Sequence, residues 1–443
     1  MTTELAGQLA RRLGAREIRG LRQLSGGASR ETWEFEASLA AGPRQLVLRR
    51  DPPGAARPEA MAREAEVLRA AAEEGVPVPP LIDHDTSDAL GAPFVLTSFV
   101  GGETIPRRLL RAVPEGLAAE LGRVLARIHR IPPAKVPSLE RHDPLATLVA
   151  TYDSLGEPLP PVEIGLHWLH AHRPPPVPDT VVHGDFRNGN LIVRPAGLAA
   201  VLDWERVHRG DPREDLGWLC VKAWRFGSAL PVGGFGTLDE LLDGYAEVAG
   251  ERPDPEAVRW WQVFGTVWWA VGCRVQAQRH LAGETRSVEL AAVGRRVCEQ
   301  EHDLLLALGM PAGKVPEEIA EPSELHGHPS AGQLLEAAGE FLRGDVLPAT
   351  SGRTAFHTRV AANVLDTVWR ELRLGPAQER RHRARLAALG FASQAEFASA
   401  LRDGRADPDD PATLAAVRES VTERLLVANP AYLDQPSGSL FPA

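Results

Sequence analysis

VVHGDFRNGNLIVRPAGLAAVLDWERVHRGDPREDLGW, residues 181–218, is the stretch on which the fold turns. Two short apolar runs, Val181-Val182 and Leu191-Ile192-Val193, bracket a polar loop, and a third, Ala200-Val201-Leu202, delivers Asp203 at its end. Apolar runs of this length bounded by Gly, Asn and Pro read as strand, loop, strand, turn, strand. Inside that frame lie Asp185, Asn190 and Asp203. Phosphoryl transfer from a nucleotide needs those groups. One carboxylate accepts the acceptor hydroxyl's proton, while a carboxylate and an amide oxygen hold Mg²⁺ against the charge developing on the phosphates.

The spacing is that of the kinase H-x-D-x-x-x-x-N loop followed by a metal-binding Asp. On the residues His183-Gly184-Asp185, Asn190 and Asp203-Trp204-Glu205 the chain resembles the aminoglycoside phosphotransferase and choline kinase-like superfamily. The resemblance implies Asp185 as base, His183 as the residue bracing the loop, and Asn190 and Asp203 as Mg²⁺ ligands. It further implies ATP as phosphoryl donor and a small-molecule hydroxyl as acceptor. Gly210-Asp211-Pro212 with Asp215-Leu216-Gly217 resembles the superfamily's closing segment, where Asp215 is expected to cap a helix and position the loop. A plainer reading takes H-G-D and D-W-E as ordinary turn and cap sequences. It suffices for either motif alone, but not for the full set at this spacing between apolar runs.

Upstream, Glu17 to Leu24 leads into Ser25-Gly26-Gly27-Ala28-Ser29, then the alternating Glu31 to Glu36, an Ala-Gly-Pro turn, and Gln45 to Arg49. This predicts an antiparallel meander behind a short amphipathic helix that ends near residue 16. In a kinase the first turn covers the nucleotide phosphates, because glycine lets backbone N–H groups approach the anion closely, so Ser25, Gly26, Gly27 and Ser29 are candidate nucleotide contacts. The third strand should carry a phosphate-binding lysine, yet the only lysines are Lys135, Lys222 and Lys314. Arg49 takes that position by register, with Arg50 the alternative if the register slips by one. On the helix expected over 58–75, Met61, Ala65, Leu68 and Ala72 make an apolar stripe. Glu64 is read as lying off that stripe, as the acid that pairs with the phosphate-binding cation or as a solvated surface acid. Pro93 to Gly102 then reads as a strand running into the linker between lobes, where Ser98 and Val100 would meet adenine and Phe99 would line the adenine pocket or, the favoured reading, pack between the lobes.

Composition bounds the rest. The chain has 443 residues, 44% hydrophobic and 24% charged, which is the balance of a soluble globular protein with two or three domains. A net charge of −10 argues against a nucleic-acid partner and suits a cationic acceptor or plain solubility. Cys220, Cys273 and Cys298 lack C-x-x-C spacing, so a reducing cytoplasm is expected rather than a disulfide framework. The N-terminus lacks the apolar segment of a signal peptide, and the apolar window from Trp260 to Cys273 is too short for a membrane span. That window belongs to a helix expected over 256–281, whose tryptophans suit core packing or a flat acceptor. Earlier helices are expected over 117–131, 145–155 and 162–172. His167, His170 and His172, ahead of three prolines, read as solvated rather than metal-binding.

The acidic, proline-marked stretch 311–329 reads as a linker. Beyond it, helices are expected over 331–347, 354–374 and 378–389, with further helical segments to about residue 427. The expected architecture is α+β: a two-lobed protein-kinase-like fold with an antiparallel-sheet N-lobe (1–100) and a mainly helical C-lobe (101–312), then an all-α domain (326–443). The tail reads as an interaction module compatible with a homodimer, or as a lid. V-L-R-R-x-P-P-G and H-G-D-F-R resemble phosphotransferases related to the kinase-like part of acyl-CoA dehydrogenase fusion proteins, which implies a hydroxyacyl thioester or other metabolic alcohol as acceptor. An aminoglycoside or macrolide kinase, or a nucleotide-binding scaffold acting through its tail, are the alternatives.

Overall fold

The computed structural model describes residues 2–24, 30–52, 54–320 and 325–437. The chain opens with α1 (Thr2–Leu13), β1 (Ile18–Gln23), β2 (Glu31–Leu39), β3 (Gly42–Arg50), α2 (Pro58–Glu73), β4 (Leu81–Asp85) and β5 (Phe94–Ser98). These strands form one antiparallel sheet in the order β1-β2-β3-β5-β4. Side chains alternate across a strand, so Trp33 and Phe35 of β2, Leu46 and Leu48 of β3 and Leu96 of β5 share one buried face. Leu5 and Leu9 of α1 close that face, with Phe94.

The alternation also separates the two arginines of β3. Arg49 pairs across the strands with Thr32 and Val95, on the face opposite Leu48. Arg50 falls on the Leu48 face, where it donates to Glu31 at 2.7 Å and to the Leu90 carbonyl at 2.7 Å. The expected stripe of α2 needs two corrections. Ala72 is exposed, and Glu64 lies on the buried face with Met61, Ala65 and Leu68. The spacing 61, 64, 65, 68 is i, i+3, i+4, i+7, one side of a helix. Phe99, expected to pack, is 42% exposed.

The chain continues through α3 (Pro106–Leu109), α4 (Leu117–His129), α5 (Pro144–Ser154), α6 (Pro160–Ala171), β6 (Thr180–Val182), β7 (Leu191–Arg194), β8 (Gly197–Val201), β9 (His208–Gly210), α7 (Arg213–Leu219), α8 (Leu238–Ala249) and α9 (Pro255–Leu281). β7 and β8 form a hairpin and β6 pairs with β9, both antiparallel, so the loops after β6 and β8 are each anchored on both sides. Trp260, Trp261 and Phe264 of α9 are buried.

The last helices are α10 (Val288–Gly294), α11 (Val297–Ala307), α12 (Ala331–Phe341), α13 (Gly352–Ala388), α14 (Gln394–Arg402) and α15 (Pro411–Ala428). The two helices expected over 354–374 and 378–389 are one, running through Pro376. Proline removes one helical N–H, but side chains beyond it bind α15: Gln378 donates to the Glu423 carbonyl at 3.0 Å and Arg381 to its carboxylate at 2.7 Å. No helix among the described residues is long and apolar enough to cross a membrane.

Two compact units emerge, and they do not follow the boundaries expected at 100, 312 and 326. One comprises residues 1–142 and 175–262, the other 143–174 and 263–443. In the second, Ile164 of α6 shares a core with Leu305 of α11, Leu386 of α13, Phe397 and Leu401 of α14, and Val417, Val421 and Leu425 of α15.

Candidate active site

The loop after β6 places His183, Gly184 and Asp185 in a cage of hydrogen bonds. Asp215 lies inside α7 rather than at its N-cap, which is Pro212. Fully buried, it accepts the amide N–H of His183 at 2.8 Å and of Gly184 at 2.9 Å. His129 Nε2 lies 3.1 Å from the same carboxylate, and its Nδ1 is 3.0 Å from the Tyr245 hydroxyl. Burial pushes the Asp215 carboxyl up, but the hydrogen bond and charge interactions with His129 and His183 hold it below the ordinary carboxylate range. The expected cap is therefore a clamp on the loop backbone. Gly184 has φ 76°, and a Cβ there would meet the Arg206 carbonyl oxygen at 2.6 Å, so this position requires glycine.

His183 is fully buried, and burial pulls its pKa down, so it is held as neutral imidazole. Its Nδ1 accepts the Asp185 amide N–H at 3.1 Å, and its Nε2 donates to the Leu202 carbonyl at 3.1 Å. The ring thereby ties the loop carrying Asp185 to the residue preceding Asp203, and those two partners select its tautomer.

Asp185 is the most heavily bonded side chain of the loop. Its Oδ1 accepts Arg187 Nε at 2.9 Å and Trp218 Nε1 at 2.9 Å, and its Oδ2 accepts Asn190 Nδ2 at 2.6 Å. Asn190 Nδ2 also donates to the Asp185 carbonyl at 3.0 Å. With its NH₂ bound to two oxygens, the Asn190 side-chain oxygen is an acceptor available to other partners. Arg187 also stacks over Trp224, its guanidinium carbon 4.6 Å from the ring centroid.

Asp203 follows β8 in the left-handed region, φ 66°. Its Oδ1 accepts Arg49 Nη2 at 2.7 Å, and Arg49 Nη1 donates to Glu64 Oε1 at 2.7 Å. Burial raises the Asp203 carboxyl, while the charge of Arg49 and its hydrogen bond outweigh burial and keep it ionised. The second oxygen of Glu64 accepts Nη1 of Arg30, whose side chain is 2% exposed and whose Nε lies 3.7 Å from Asp51. Burial, then the nearby Arg49 charge, pulls the Arg30 pKa down to about 10.

The structure thus brings His183, Asp185, Asn190, Asp203, Arg49 and Glu64 into one connected network. Ser98 and Val100 sit at and just beyond the end of β5, where the Ser98 amide donates to the Pro80 carbonyl at 2.9 Å. Ser25, Gly26, Gly27 and Ser29 lie outside the described residues. Five participants escape the sequence reading: His129 and Tyr245 behind Asp215, Arg30, which directly follows Ser29 in sequence, Arg187, two residues after Asp185, and Trp218, three after Asp215. The last three stand beside a motif without belonging to it, whereas His129 and Tyr245 come from α4 and α8, far from it in sequence. No group of three or more His, Cys, Asp and Glu among the described residues is placed to hold a metal ion. Asn190 and Asp203 offer a two-ligand oxygen set, which suits a cation that takes its remaining ligands from water and phosphate.

The family model described as Phosphotransferase enzyme family matches residues 20–261, and a second, Domain of unknown function (DUF6285), matches residues 348–432. Over 207 residues the chain is 34% identical to acyl-CoA dehydrogenase family member 10 of Mus musculus, an overlap of 43% of this chain and 19% of that protein. Over 221 residues it is 30% identical to acyl-CoA dehydrogenase family member 11 of Gallus gallus, covering 45% of this chain and 27% of that protein. The matches span less than a third of the length of these relatives. Among solved structures, a GDP complex of an aminoglycoside 2'-phosphotransferase matches with a TM-score of 0.52 at 14% identity, covering 68% of this chain and 97% of that one. That likeness shows the kinase-like fold. The family match runs from β1 into α9 and takes in more than half of the chain, which belongs to the phosphotransferase enzyme family.

Proposed function

We propose that the chain transfers the γ-phosphoryl group of ATP to a hydroxyl of a small molecule, with Asp185 as the base. The observation that carries this reading is the network joining Asp185 to Asn190, and Asp203 through Arg49 to Glu64. Asp185 is held where a hydroxyl can donate to it, and His183 and Asp215 fix the loop that presents it. Arg49 carries the permanent charge expected of the missing lysine, and its fork can bind phosphate oxygens in two places.

The residues present fit Mg²⁺. The Asn190 amide is oriented by two hydrogen bonds that leave its oxygen as acceptor, and Asp203 is held ionised. Asn190 and Asp203 would hold the ion, which when bound neutralises negative charge on the phosphates. Glu64 is anchored by Arg30 on one oxygen and holds Arg49 on the other, so the guanidinium that meets the nucleotide is braced from behind.

For the acceptor, the similarity to two acyl-CoA dehydrogenase family members favours a hydroxyacyl thioester or another metabolic alcohol. The fold likeness to an aminoglycoside phosphotransferase keeps an antibiotic acceptor as the second reading. A screen for transfer of radiolabelled γ-phosphate across hydroxyacyl thioesters, aminoglycosides, macrolides and small alcohols separates them. A scaffold would bind nucleotide without turnover on the whole panel. Asp185→Ala should lower transfer by about 10²–10⁴-fold with the fold intact, and Asp203→Ala should also weaken Mg-nucleotide binding. Unchanged turnover in both variants overturns the assignment.

A further inference from the structure

Trp218 is 6% exposed and packs on Trp224, with ring centroids 5.2 Å apart. An indole offers one hydrogen-bond donor and no acceptor, and here that donor ends 2.9 Å from Asp185 Oδ1. Trp218 stands three residues beyond Asp215 on α7, so one side of a short helix carries both contacts to the loop. Asp215 holds the amides of His183 and Gly184, and Trp218 holds the Asp185 side chain.

An ionised carboxylate has about two acceptor directions on each oxygen. At Oδ1 both are taken, by Trp218 Nε1 and Arg187 Nε, each at 2.9 Å. At Oδ2 one is taken, by Asn190 Nδ2 at 2.6 Å. The two oxygens are therefore not equivalent, and among the described residues the second acceptor direction of Oδ2 is the one left for a hydroxyl.

We propose that Trp218 is a positioning residue for phosphoryl transfer: with Arg187 it dedicates Asp185 Oδ1 to the protein and leaves Oδ2 to receive the acceptor's proton. This rests on Asp185 being the base. In the transfer step the acceptor O–H proton passes to Oδ2 and the acceptor oxygen forms a bond to the γ-phosphorus. The bond from that phosphorus to the β–γ bridging oxygen breaks, and its electron pair leaves with ADP. Without the indole, the carboxylate can rotate about its Cβ–Cγ bond and offer either oxygen in a poorer line of attack. In this proposal Trp218 acts through Asp185, so its loss should fall on turnover and not on nucleotide binding.

The test uses the full chain. In ¹H–¹⁵N spectra of the indole groups, the Trp218 cross-peak is the one missing from Trp218→Phe. Asp185→Asn should move that peak and leave the other indole peaks in place; a Trp218 peak unmoved by Asp185→Asn overturns the proposal. This reading survives even if Trp218→Phe folds poorly, because Trp218→His provides a second route to the assignment. Kinetically, Trp218→Phe should lower kcat about tenfold for ATP turnover, measured with water or any acceptor found by the screen, while KM for ATP stays within twofold. Trp218→His, which keeps a ring N–H, should recover part of the loss. Equal kcat in Trp218→Phe and the parent chain overturns the proposal while leaving the assignment of Asp185 intact. Full activity in Asp185→Asn instead removes the base on which it rests.

Discussion

At Glu64 a buried carboxylate meets two guanidiniums, and the balance of terms there can be measured. Glu64 and Arg30 have side chains only 2% exposed. Truncating one partner of such a pair leaves a charge in a poorly solvated place, which costs about 3–5 kcal/mol, whereas replacing both by apolar groups is milder. Glu64→Ala should therefore lower unfolding free energy by about that amount in denaturant titration, and Arg30→Met with Glu64→Leu should recover much of it. A Glu64→Ala chain as stable as the parent would mean the pair is not closed in solution. His208 gives a pH-dependent case. It is buried, lies 3.2 Å from Glu214, donates from Nδ1 to the Arg206 carbonyl, and faces His142 at 4.9 Å between ring centroids. Burial alone would pull its pKa down, but Glu214 prevails and lifts it to about 9. A raised pKa means the folded chain binds the proton more tightly, so this stabilisation is complete below the unfolded value of about 6.5 and is lost as pH rises through about 9. Tm should fall across that window, and His208→Gln should flatten the fall. Strand alternation put Arg49 and Arg50 on opposite faces, but a register slip of one exchanges them, so the sequence left open which of the two meets Glu64. Arg30 was not legible, because nothing local marks an arginine whose partner lies 34 residues away.

At the scale of elements, short-range pattern located many of the helices and strands, though not α8, α10, α11 or β9, and not what their faces meet. Asp215 illustrates the gap. Its place in G-D-P-x-x-D-L suggested a cap, yet it points from the interior of α7 into the loop amides, a contact set by the approach of β6. The break expected near Pro376 fails for a related reason, since partners on α15 override a local preference. The pairing of α4 with α8 rests on small residues equally hard to weigh in sequence. A Cβ added at Gly122 would stand 2.1 Å from the Leu241 carbonyl oxygen, and one at Gly244 would stand 2.1 Å from the Ala119 carbonyl oxygen. Neither neighbour is a side chain that can swing aside. Gly244→Ala should accordingly destabilise by about 1–3 kcal/mol or more, although alanine has the better helix propensity. Because α4 also carries His129, the partner of Asp215, the same variant should loosen the loop that presents Asp185. Faster hydrogen exchange at the His183 and Gly184 amides is the readout, and exchange unchanged at both would separate helix packing from loop support.

At the scale of the molecule, the second compact unit joins parts of the chain that sequence order keeps far apart. Residues 143–174 cluster with 263–443, so a segment read as belonging to the second lobe is built into the same core as the C-terminal helices. Ion pairing follows the same route. Arg402 of α14 donates to both carboxylate oxygens of Glu163 on α6, at 3.0 and 2.8 Å, and to Asp153 of α5 at 2.7 Å. Tyr152 completes the set, its hydroxyl 2.9 Å from Glu163. Glu163 is 4% exposed, and without Arg402 its charge would keep only that one hydroxyl among these partners. The sequence marks residues 311–329 as the natural place to cut, because composition reports solvation along the chain and not contacts across it. A chain ending at residue 310 would uncover Ile164, Cys298 and Leu305, which share their core with Phe397, Leu401, Val417, Val421 and Leu425. Uncovered apolar surface of that kind drives aggregation. The truncated chain should bind a hydrophobic dye and sediment as aggregates under conditions where the full chain is monodisperse. Supplying residues 311–443 as a separate polypeptide in the same cell should restore part of the soluble yield, since the missing contacts are made by side chains and not by chain continuity. A truncated chain that stays monodisperse and unfolds at the parent midpoint would show that the C-terminal helices are an appendage, with no share in the core around Ile164.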